Sequence, residues 1–464
     1  MRRKLICLLL VLCLFACLFQ AGATEAPNTS AASILVVDMK TGQGVYSVNP
    51  DARLYPASLT KVMTVLLAAE AVERGDVFLT DKVTPTSAIT YNLRYDGSTQ
   101  NIRPGETMTL QDLMYCALVS SANEACNIIA EYLCGDIPTF VELMNQRAAE
   151  LGCTNTHFNN THGLPDANHY SSARDMAIIS QRALELPTFR EICSTASYTV
   201  PATNMSGARQ LSNTNGLINR AYYDGRYFYP YAHGVKTGHT DEAGYCLISI
   251  AEKEELSLLI VVMGCAMTVD DEGLQTVGSF ADSIALYNWA FDTFSYQVVL
   301  NTDEVVASMP LVDGRKDTVD VYASSPVTAL MPDDPDRLDL DVRYYQEEGT
   351  VTAPIRKGTA VGEVNVYMGG ELLGSSQLIT GSNVGRSNWK IMARSIKNFL
   401  AGPVMAAVIW VLLVLVVILV VIVILRFVRY EHVKPPKRKE KKPPDMSADE
   451  TEDKPSEKEP AGRK

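Results

Sequence analysis

The pattern of apolar and polar positions predicts one α/β unit between residues 32 and 294. Apolar runs of strand length predict an antiparallel sheet, and they lie at 34–37, 45–48, 245–251 and 256–263. Longer apolar stretches predict helices at 62–72, 110–119 and 125–133. The first helix is expected to begin at Ser58, because Pro56 and Ser58 come directly before its apolar run. We therefore expect helices that pack against one sheet.

The pattern changes after residue 294 to short alternating segments. Segments such as 318–322 and 363–367 alternate apolar and polar residues, and glycine, proline and aspartate bound them. This pattern is typical of strands in a small β-sandwich. The sequence therefore predicts a second, β-rich domain at 295–380.

Both ends of the chain carry segments that predict export and membrane anchoring. Residues 1–23 have the features of a cleavable signal peptide, namely three basic residues, an apolar run and a small-residue cleavage site. A lipoprotein signal that ends at Cys17 is the less favoured alternative. Residues 404–425 are uncharged, almost wholly aliphatic and apolar on every face, and they are long enough to cross a hydrocarbon layer of about 30 Å as a helix.

The residues around this predicted span indicate its orientation. A cluster of arginines and lysines begins at Arg426, which predicts that this end is cytoplasmic and that the catalytic region lies outside. Residues 426–464 are expected to form a disordered cytoplasmic tail, because the tail is charged and rich in proline. Residues 389–400 mix basic and apolar side chains, so they either lie on the membrane surface or continue the transmembrane helix. The sequence thus predicts a single-pass protein of the cell membrane.

Charge and cysteine content exclude several classes of function. The formal net charge is -12, although the basic tail is included, so nucleic acid is not an expected partner. Three of the ten cysteines lie in the predicted signal peptide, and several of the others fall in apolar runs, so we expect buried thiols rather than disulfides. The cysteines lack zinc-ligand spacing and the six histidines form no His-x-x-x-His pair, so no metal or other cofactor is expected.

Three short motifs together predict a serine acyl-transfer site that has no histidine base. In chain order they are Ser58-Leu59-Thr60-Lys61, Ser121-Ala122-Asn123 and Lys236-Thr237-Gly238. A serine hydroxyl is a weak nucleophile, so a neighbouring group must take its proton as it attacks a carbonyl. Lys61 lies one helical turn after Ser58 on the same face. Its amine can serve as that base if burial and the charge of Lys236 keep it partly neutral.

The remaining motif residues fit the other tasks of such a site. Ser121 can relay a proton to the leaving group, and Asn123 can hold the substrate amide. Thr237 and Gly238 can form the edge of a strand that receives an extended substrate. Each motif alone is often explained by a purely structural role, as a helix cap, a helix turn or a surface turn. The functional interpretation rests on the combination, because order, spacing and predicted element type agree.

The motifs resemble those of the D-alanyl-D-alanine carboxypeptidases, which are low-molecular-mass penicillin-binding proteins of the serine DD-peptidase family. Segments outside the motifs are also similar, and they include 34–38, 54–57, 97–98, 144–152, 158–166 and 213–215. The similarity spans roughly 32–294, and a weaker similarity to that family's C-terminal β domain continues to about 380. The resemblance implies a penicillin-recognising, β-lactamase-like α+β or α/β domain with an antiparallel sheet and helices, followed by a small β-sandwich.

The resemblance also implies a role for each motif residue. Ser58 would be the nucleophile and Lys61 the general base. The other implied site residues are Ser121, Asn123, Lys236, Thr237 and Gly238. The backbone N–H groups of Ser58 and His239 would form the oxyanion hole, which stabilises charge in the transition state. The implied reaction removes the terminal D-alanine of peptidoglycan stem pentapeptides through an acyl-enzyme, and the implied inhibitors are β-lactam antibiotics.

One departure from the family bears on the choice of substrate. The family often carries an arginine shortly after the strand that follows the Lys-Thr-Gly strand, where it helps to hold the terminal carboxylate. Residues 265–273 here contain three acids and no basic residue, so we expect this carboxylate to rest on Thr237 and Lys236, or on an arginine elsewhere. A DD-endopeptidase and a catalytically weak peptidoglycan-binding scaffold remain alternatives. A β-lactamase is a further alternative, and it would need a glutamate such as Glu142 to activate water.

Overall fold

The computed structural model describes residues 25–269, 273–333, 340–346 and 350–431. The predicted signal peptide, the acidic residues 270–272 and most of the predicted tail lie outside the described residues. The chain divides into two compact units, and the division falls between Gly385 and Arg386.

A five-stranded antiparallel sheet forms the centre of the first unit. Its strands are β1 (Ser33–Asp38), β2 (Gly44–Val48), β7 (Ala232–Thr240), β8 (Gly244–Lys253) and β9 (Leu256–Cys265). They lie in the order β2-β1-β9-β8-β7, so β7 is an edge strand. The four strands that the apolar runs predict are confirmed, and β7 is an additional strand.

The central strands are apolar on both faces because helices cover both faces of the sheet. In β1, Leu35 and Val37 belong to one core cluster, and Ile34 and Val36 belong to the cluster on the other face. This division follows from the period of two along a strand. Strands buried in this way appear in a sequence as continuous apolar runs, which is why they could be predicted.

Seven α-helices of the first unit surround this sheet in the described part of the chain. They are α1 (Lys61–Glu73), α2 (Leu110–Leu118), α3 (Asn123–Cys134), α4 (Ile137–Glu150), α5 (Ala173–Leu184), α6 (Pro187–Ser194) and α7 (Gly278–Thr293). Helix α7 supplies Leu286, Tyr287 and Ala290 to the core on the Ile34 face, and the other core contains the buried side chains of α1, α2 and α3. Helix α2 begins with a capping box between Thr109 and Asp112, a common start signal.

Short elements complete the catalytic region. The small hairpin strands are β3 (Lys82–Val83), β4 (Met108–Thr109), β5 (Ser197–Val200), β6 (Arg209–Ser212), β10 (Met267–Val269) and β11 (Gln275–Val277). The 3₁₀ turns are Ala57–Thr60, Ser87–Thr90 and Tyr222–Gly225.

The predicted β-sandwich is also present in the first unit. Its strands are β12 (Phe294–Leu300), β13 (Ala307–Pro310), β14 (Thr318–Ala323), β15 (Val327–Pro332), β16 (Leu340–Gln346), β17 (Ala360–Met368) and β18 (Glu371–Thr380). A two-stranded sheet, β12-β15, accompanies a five-stranded sheet in the order β13-β14-β18-β17-β16. The Gln43 side chain connects the two domains, because it hydrogen-bonds both the N–H and the carbonyl of Leu330, at 3.1 Å and 2.9 Å.

The second unit contains two consecutive helices, α8 (Asn388–Ala401) and α9 (Pro403–Glu431). Gly402 has extended backbone angles, and Pro403 cannot continue the hydrogen-bonding pattern of a preceding helix. The mixed basic and apolar segment is therefore a helix of its own and does not continue the span. Helix α9 is long and apolar enough to cross a membrane.

The seven cysteines of the described residues are all free thiols, as predicted. Five are buried, and they are Cys116, Cys126, Cys193, Cys246 and Cys265. Burial raises the pKa of Cys126 to about 12, so this thiol stays protonated and behaves as a small apolar group.

Candidate active site

Ser58 lies in the 3₁₀ turn Ala57–Thr60, which we call the nucleophile turn after the predicted role of Ser58. Helix α1 begins only at Lys61. The apolar pattern predicts a helix start at Ser58, and the difference arises because the N–H of Leu59 bonds to the carbonyl of Pro56, which tightens the turn. The predicted pairing of the two side chains is nevertheless present. The Nζ atom of Lys61 lies 2.8 Å from the Oγ atom of Ser58.

The amine of Lys61 is fully buried and has two further fixed partners. Its Nζ atom lies 2.8 Å from Oδ1 of Asn123 and 2.7 Å from the carbonyl oxygen of His162. Burial lowers the pKa of Lys61 to about 8, although the Glu124 carboxylate acts in the opposite direction. A neutral amine has two N–H groups, which these two acceptors occupy. Its lone pair is then left for the hydroxyl proton of Ser58.

Lys236 is a second buried lysine in the same site. It lies in β7 with 1% of its surface exposed, and its Nζ atom donates to the carbonyl of Thr237 at 2.8 Å. Burial holds the pKa of Lys236 well below its usual range, and the positive charge of Lys61 lowers it further. Repulsion between two buried ammonium groups favours a state in which one of them is neutral.

The Ser121-Ala122-Asn123 motif joins α2 to α3 and forms one wall of the site. Ser121 has a φ of 64°, in the left-handed region that non-glycine residues rarely adopt. The turn is held because the N–H of Ala122 donates to the carbonyl of Cys116 at 2.9 Å. Such strain costs on the order of 1–3 kcal/mol and persists only where the surroundings fix it. Asn123 is the first residue of α3, so its side chain is held by the helix.

The Lys236-Thr237-Gly238 motif lies inside edge strand β7, so Thr237 and Gly238 lie at the edge of a strand as the sequence predicted. Strand β7 pairs with the predicted strand β8, and it packs directly against the nucleophile turn. A Cβ atom on Gly238 would lie only 3.1 Å from the backbone nitrogen of Ser58. His239 follows in the same strand, and its exposed ring stacks on Tyr245 with 4.1 Å between centroids. The implied oxyanion-hole residues therefore lie on adjoining elements.

Two cavities meet at Ser58 and His239, which line both of them. The first, of about 290 Å³, also contains Ser121, Thr237 and Thr214, and we refer to it as the hydroxyl-side cavity. The second, of about 220 Å³, contains Asn123, and we refer to it as the amide-side cavity. Ser58 thus lies at the junction of the two cavities.

His169 supports the nucleophile turn, and the sequence analysis did not identify it. The N–H of Asn159 donates to Nδ1 of His169 at 2.9 Å, so Nε2 carries the proton and donates to Oγ1 of Thr60 at 2.8 Å. The Thr60 hydroxyl in turn donates to the carbonyl of Ala57 at 2.9 Å. Burial lowers the pKa of His169 to about 3, which keeps the ring neutral. This chain of hydrogen bonds ends one residue before Ser58.

Gly163 lies between Asn159 and His169 in the chain, and it lets this segment approach the nucleophile turn closely. Its φ is 94°, and a Cβ atom at this position would lie 1.8 Å from the carbonyl oxygen of Ala57. Ala57 itself has a φ of 46°, which is unusual for alanine. The backbone before Ser58 is therefore held in a strained conformation from two sides.

Thr214 is a further site residue that the sequence analysis missed. Its Oγ1 atom lies 2.5 Å from Oγ1 of Thr237, so the two hydroxyls form a pair in the hydroxyl-side cavity. Among the described residues that line the two cavities, Arg94 is the only arginine, and it lies on the amide side beside Asp96. The hydroxyl-side cavity has aromatic side chains instead, and they include Tyr222, Tyr223, Tyr245 and Phe280.

The structure does not favour the other chemistries considered. Glu142 is an exposed residue of helix α4, and it lines neither cavity, so it does not offer the water-activating carboxylate of a β-lactamase. No group of three or more histidine, cysteine, aspartate or glutamate side chains suited to hold a metal ion occurs among the described residues.

Two family models match the chain. The model of D-alanyl-D-alanine carboxypeptidases matches residues 20–267, and the model of the C-terminal domain of penicillin-binding protein 5 matches residues 294–386. The chain is 32% identical to the D-alanyl-D-alanine carboxypeptidase DacF of Bacillus subtilis, over 75% of this chain and 84% of that protein. It is 31% identical to DacA of Escherichia coli K12, over 78% of this chain and 86% of that protein.

Solved structures agree with these matches. Penicillin-binding protein 5 of Haemophilus influenzae aligns with a TM-score of 0.60 and 31% identity, over 78% of this chain and all of that chain. The chain therefore belongs to the family of D-alanyl-D-alanine carboxypeptidases, and it is a serine-type DD-carboxypeptidase of the penicillin-binding class.

Proposed function

We propose that Ser58 is the nucleophile of this carboxypeptidase and that Lys61 is its general base. The observation that carries the proposal is the 2.8 Å contact between Lys61 Nζ and Ser58 Oγ, at an amine whose other two partners are fixed. In the first step, Ser58 Oγ attacks the carbonyl between the two terminal D-alanines, and its proton passes to the neutral amine of Lys61. The backbone N–H groups of Ser58 and His239 hold the oxyanion.

The second half of the first step expels D-alanine. Ser121 relays the proton that Lys61 took from Ser58 to the leaving amine. This step breaks the peptide bond, leaves the shortened peptide as an ester on Ser58 and returns Lys61 to its neutral form. Water then attacks this ester in the reverse manner, with Lys61 again as base. Lys236 supplies positive charge near the groups that carry negative charge during both steps.

The two cavities give the substrate a direction. The leaving D-alanine occupies the hydroxyl-side cavity, where the hydroxyls of Thr237 and Thr214 hold its carboxylate, and the buried amine of Lys236 lies behind them against the carbonyl of Thr237. The rest of the stem peptide lies in the amide-side cavity, where Asn123 holds an amide and the edge of β7, at Gly238, can pair with an extended chain. The substrate is a peptidoglycan stem pentapeptide, and β-lactam antibiotics acylate the same serine.

We further propose an arrangement of the whole chain at the cell membrane. Residues 1–23 are a signal peptide, 32–294 the catalytic domain and 295–380 the β domain. Residues 404–425 cross the membrane once as part of α9, which leaves the catalytic domain outside the cell and residues 426–464 in the cytoplasm. The proposal is supported by the length and hydropathy of α9 and by the basic residues that follow it.

Covalent labelling tests the assignment of the nucleophile. Labelled penicillin should react with the wild type and with Ser120→Ala but not with Ser58→Ala. The neighbouring Ser120 is a suitable control because its hydroxyl bonds to the backbone carbonyl of Cys116. Labelling of the Ser58→Ala protein at the wild-type rate would overturn the assignment.

Product analysis tests the reaction. Incubation with a stem pentapeptide should release one D-alanine and yield the tetrapeptide, as measured by mass spectrometry. Cleavage of cross-linked dimers without release of D-alanine from the pentapeptide would instead indicate an endopeptidase.

A further inference from the structure

The loop from Asp96 to Ile102, here named the rim loop, forms part of both active-site cavities. Asp96 and Ser98 line the hydroxyl-side and the amide-side cavities alike. The loop is joined to the catalytic machinery through its backbone, because the N–H of Asn123 donates to the carbonyl of Ser98 at 2.9 Å. A movement of the rim loop would therefore change the shape of the groove on both sides of Ser58.

One carboxylate oxygen accepts hydrogen bonds from three donors of this loop. Oε1 of Glu124 accepts from the N–H of Gln100 at 2.6 Å, from the hydroxyl of Thr99 at 2.8 Å and from the N–H of Ile102 at 3.4 Å. Asn101 lies between these donors with a φ of 55°, so the chain is bent back on itself around the carboxylate. Hydrogen bonds to an ionised acceptor are about twice as strong as neutral ones.

Glu124 is well placed to hold the loop rigidly. It is 3% exposed and lies in the first turn of α3, where the helix N-terminus favours negative charge. Its neighbour in the chain is Asn123, which contacts Lys61. Oε2 of Glu124 has no hydrogen-bond partner among the described residues, so the carboxylate is not part of another network.

We propose that Glu124 is a positioning residue, which fixes the rim loop as a wall of the substrate groove and holds a negative charge near Lys61. The proposal rests on the proposed role of Lys61 as general base. The titratable groups that interact with the Glu124 carboxylate are Lys61 on α1, Cys116 on α2 and Cys126 on α3, and Lys61 is the cation among them.

Two substitutions distinguish the effect of the hydrogen bonds that fix the rim loop from the effect of the negative charge on Glu124. Glu124→Ala removes the acceptor and leaves three loop donors unpaired, so KM for a stem pentapeptide should rise by about 10- to 100-fold. Glu124→Gln keeps an oxygen acceptor in the same place but removes the charge, so KM should change little. Loss of the negative charge disfavours protonated Lys61, and the midpoint of the pH profile for penicillin acylation should therefore move to lower pH.

A matched control lies on the same helix. Glu131 also accepts hydrogen bonds from a backbone N–H and a hydroxyl of a neighbouring loop, both from Thr86, but it lines neither cavity. Glu131→Ala removes the same kind of contact and should leave KM and the pH midpoint unchanged. A rise in KM of equal size in both alanine variants would overturn the proposal, because it would show a general effect of loosening α3.

Hydrogen exchange provides a readout that does not depend on activity. In Glu124→Ala the amides of Gln100 and Ile102 should exchange faster than in the wild type, while the amides of β8 keep their protection. If those two amides exchange at the wild-type rate in a folded protein, Glu124 does not brace the loop. Failure of the wild type itself to react with penicillin would instead count against the proposed function. The exchange experiment would still show whether Glu124 fixes the rim loop.

Discussion

The pH dependence of acylation gives a direct test of how Ser58 is activated. Lys61 must be neutral to accept the serine proton, and its pKa is lowered from 10.5 to about 8 by burial. At pH 7 this pKa leaves about one molecule in ten with a neutral amine, against about three in ten thousand for an ordinary lysine. Burial therefore increases the reactive fraction by a factor on the order of 10² to 10³ at neutral pH.

The second-order rate of acylation by a labelled penicillin measures this fraction. The rate should rise with pH, increase about tenfold between pH 7 and pH 9, and level off at higher pH. The midpoint near pH 8 is that of Lys61, whose pKa is lowered by burial. A rate that stays constant from pH 6 to pH 10 would refute the assignment of a lysine as base.

Removal of the second lysine tests which amine sets this profile. Burial lowers the pKa of Lys61, whereas Lys236 is itself the amine whose pKa the neighbouring charge lowers, so Lys236→Met should leave the midpoint near pH 8 in place. Lys253→Met, which changes a partly exposed lysine in the adjacent strand β8, should leave the midpoint in place as well. A midpoint that moves in Lys236→Met but not in Lys253→Met would contradict the inference that burial sets the pKa of Lys61.

Other parts of the structure give three further predictions. Gly163→Ala should abolish penicillin labelling, because the new Cβ atom would collide with the carbonyl of Ala57, and labelling at the wild-type rate would contradict this. His169→Ala should slow acylation by about tenfold or more without a shift of the pH midpoint, since it removes a support of the nucleophile turn and no charge. Glu70→Gln should lower the free energy of unfolding by roughly 3 kcal/mol in thermal denaturation yet leave labelling of the folded protein intact, because two arginines share this buried carboxylate far from Ser58.

The parts of the site that depend on local sequence could be predicted. Ser58 and Lys61 are three residues apart in a helical turn, so their pairing follows from helix geometry alone. The central strands could be predicted because both of their faces are buried. Strand β7 could not be predicted from apolar runs, since its residues around Gly234 and Gly238 are small or polar, and only the motif at Thr237 and Gly238 indicated the edge of a strand.

Several supporting contacts could not be predicted because backbone groups make them. The carbonyl of His162 binds Lys61 across 101 positions of sequence, and any residue type at position 162 would present the same carbonyl. The same holds for the amides of the rim loop that bind Glu124. Residue identity in a single sequence carries no signal for such contacts, whereas it does for a serine, a lysine or a glycine in a motif.

The burial of Lys61 has a consequence for the thermodynamics of the whole protein. A lysine whose pKa falls from 10.5 in the unfolded chain to about 8 in the folded one lowers the stability at pH 7 by on the order of 3 kcal/mol. The unfolded chain binds this proton more tightly, so the destabilisation is complete below pH 8 and disappears above pH 10.5. Domains are typically stable by about 5–15 kcal/mol, so this is a large fraction of the whole. A chain with Lys61→Met should consequently be inactive and yet have a larger free energy of unfolding at pH 7. The wild-type fold is less stable because it buries the reactive amine that the reaction needs.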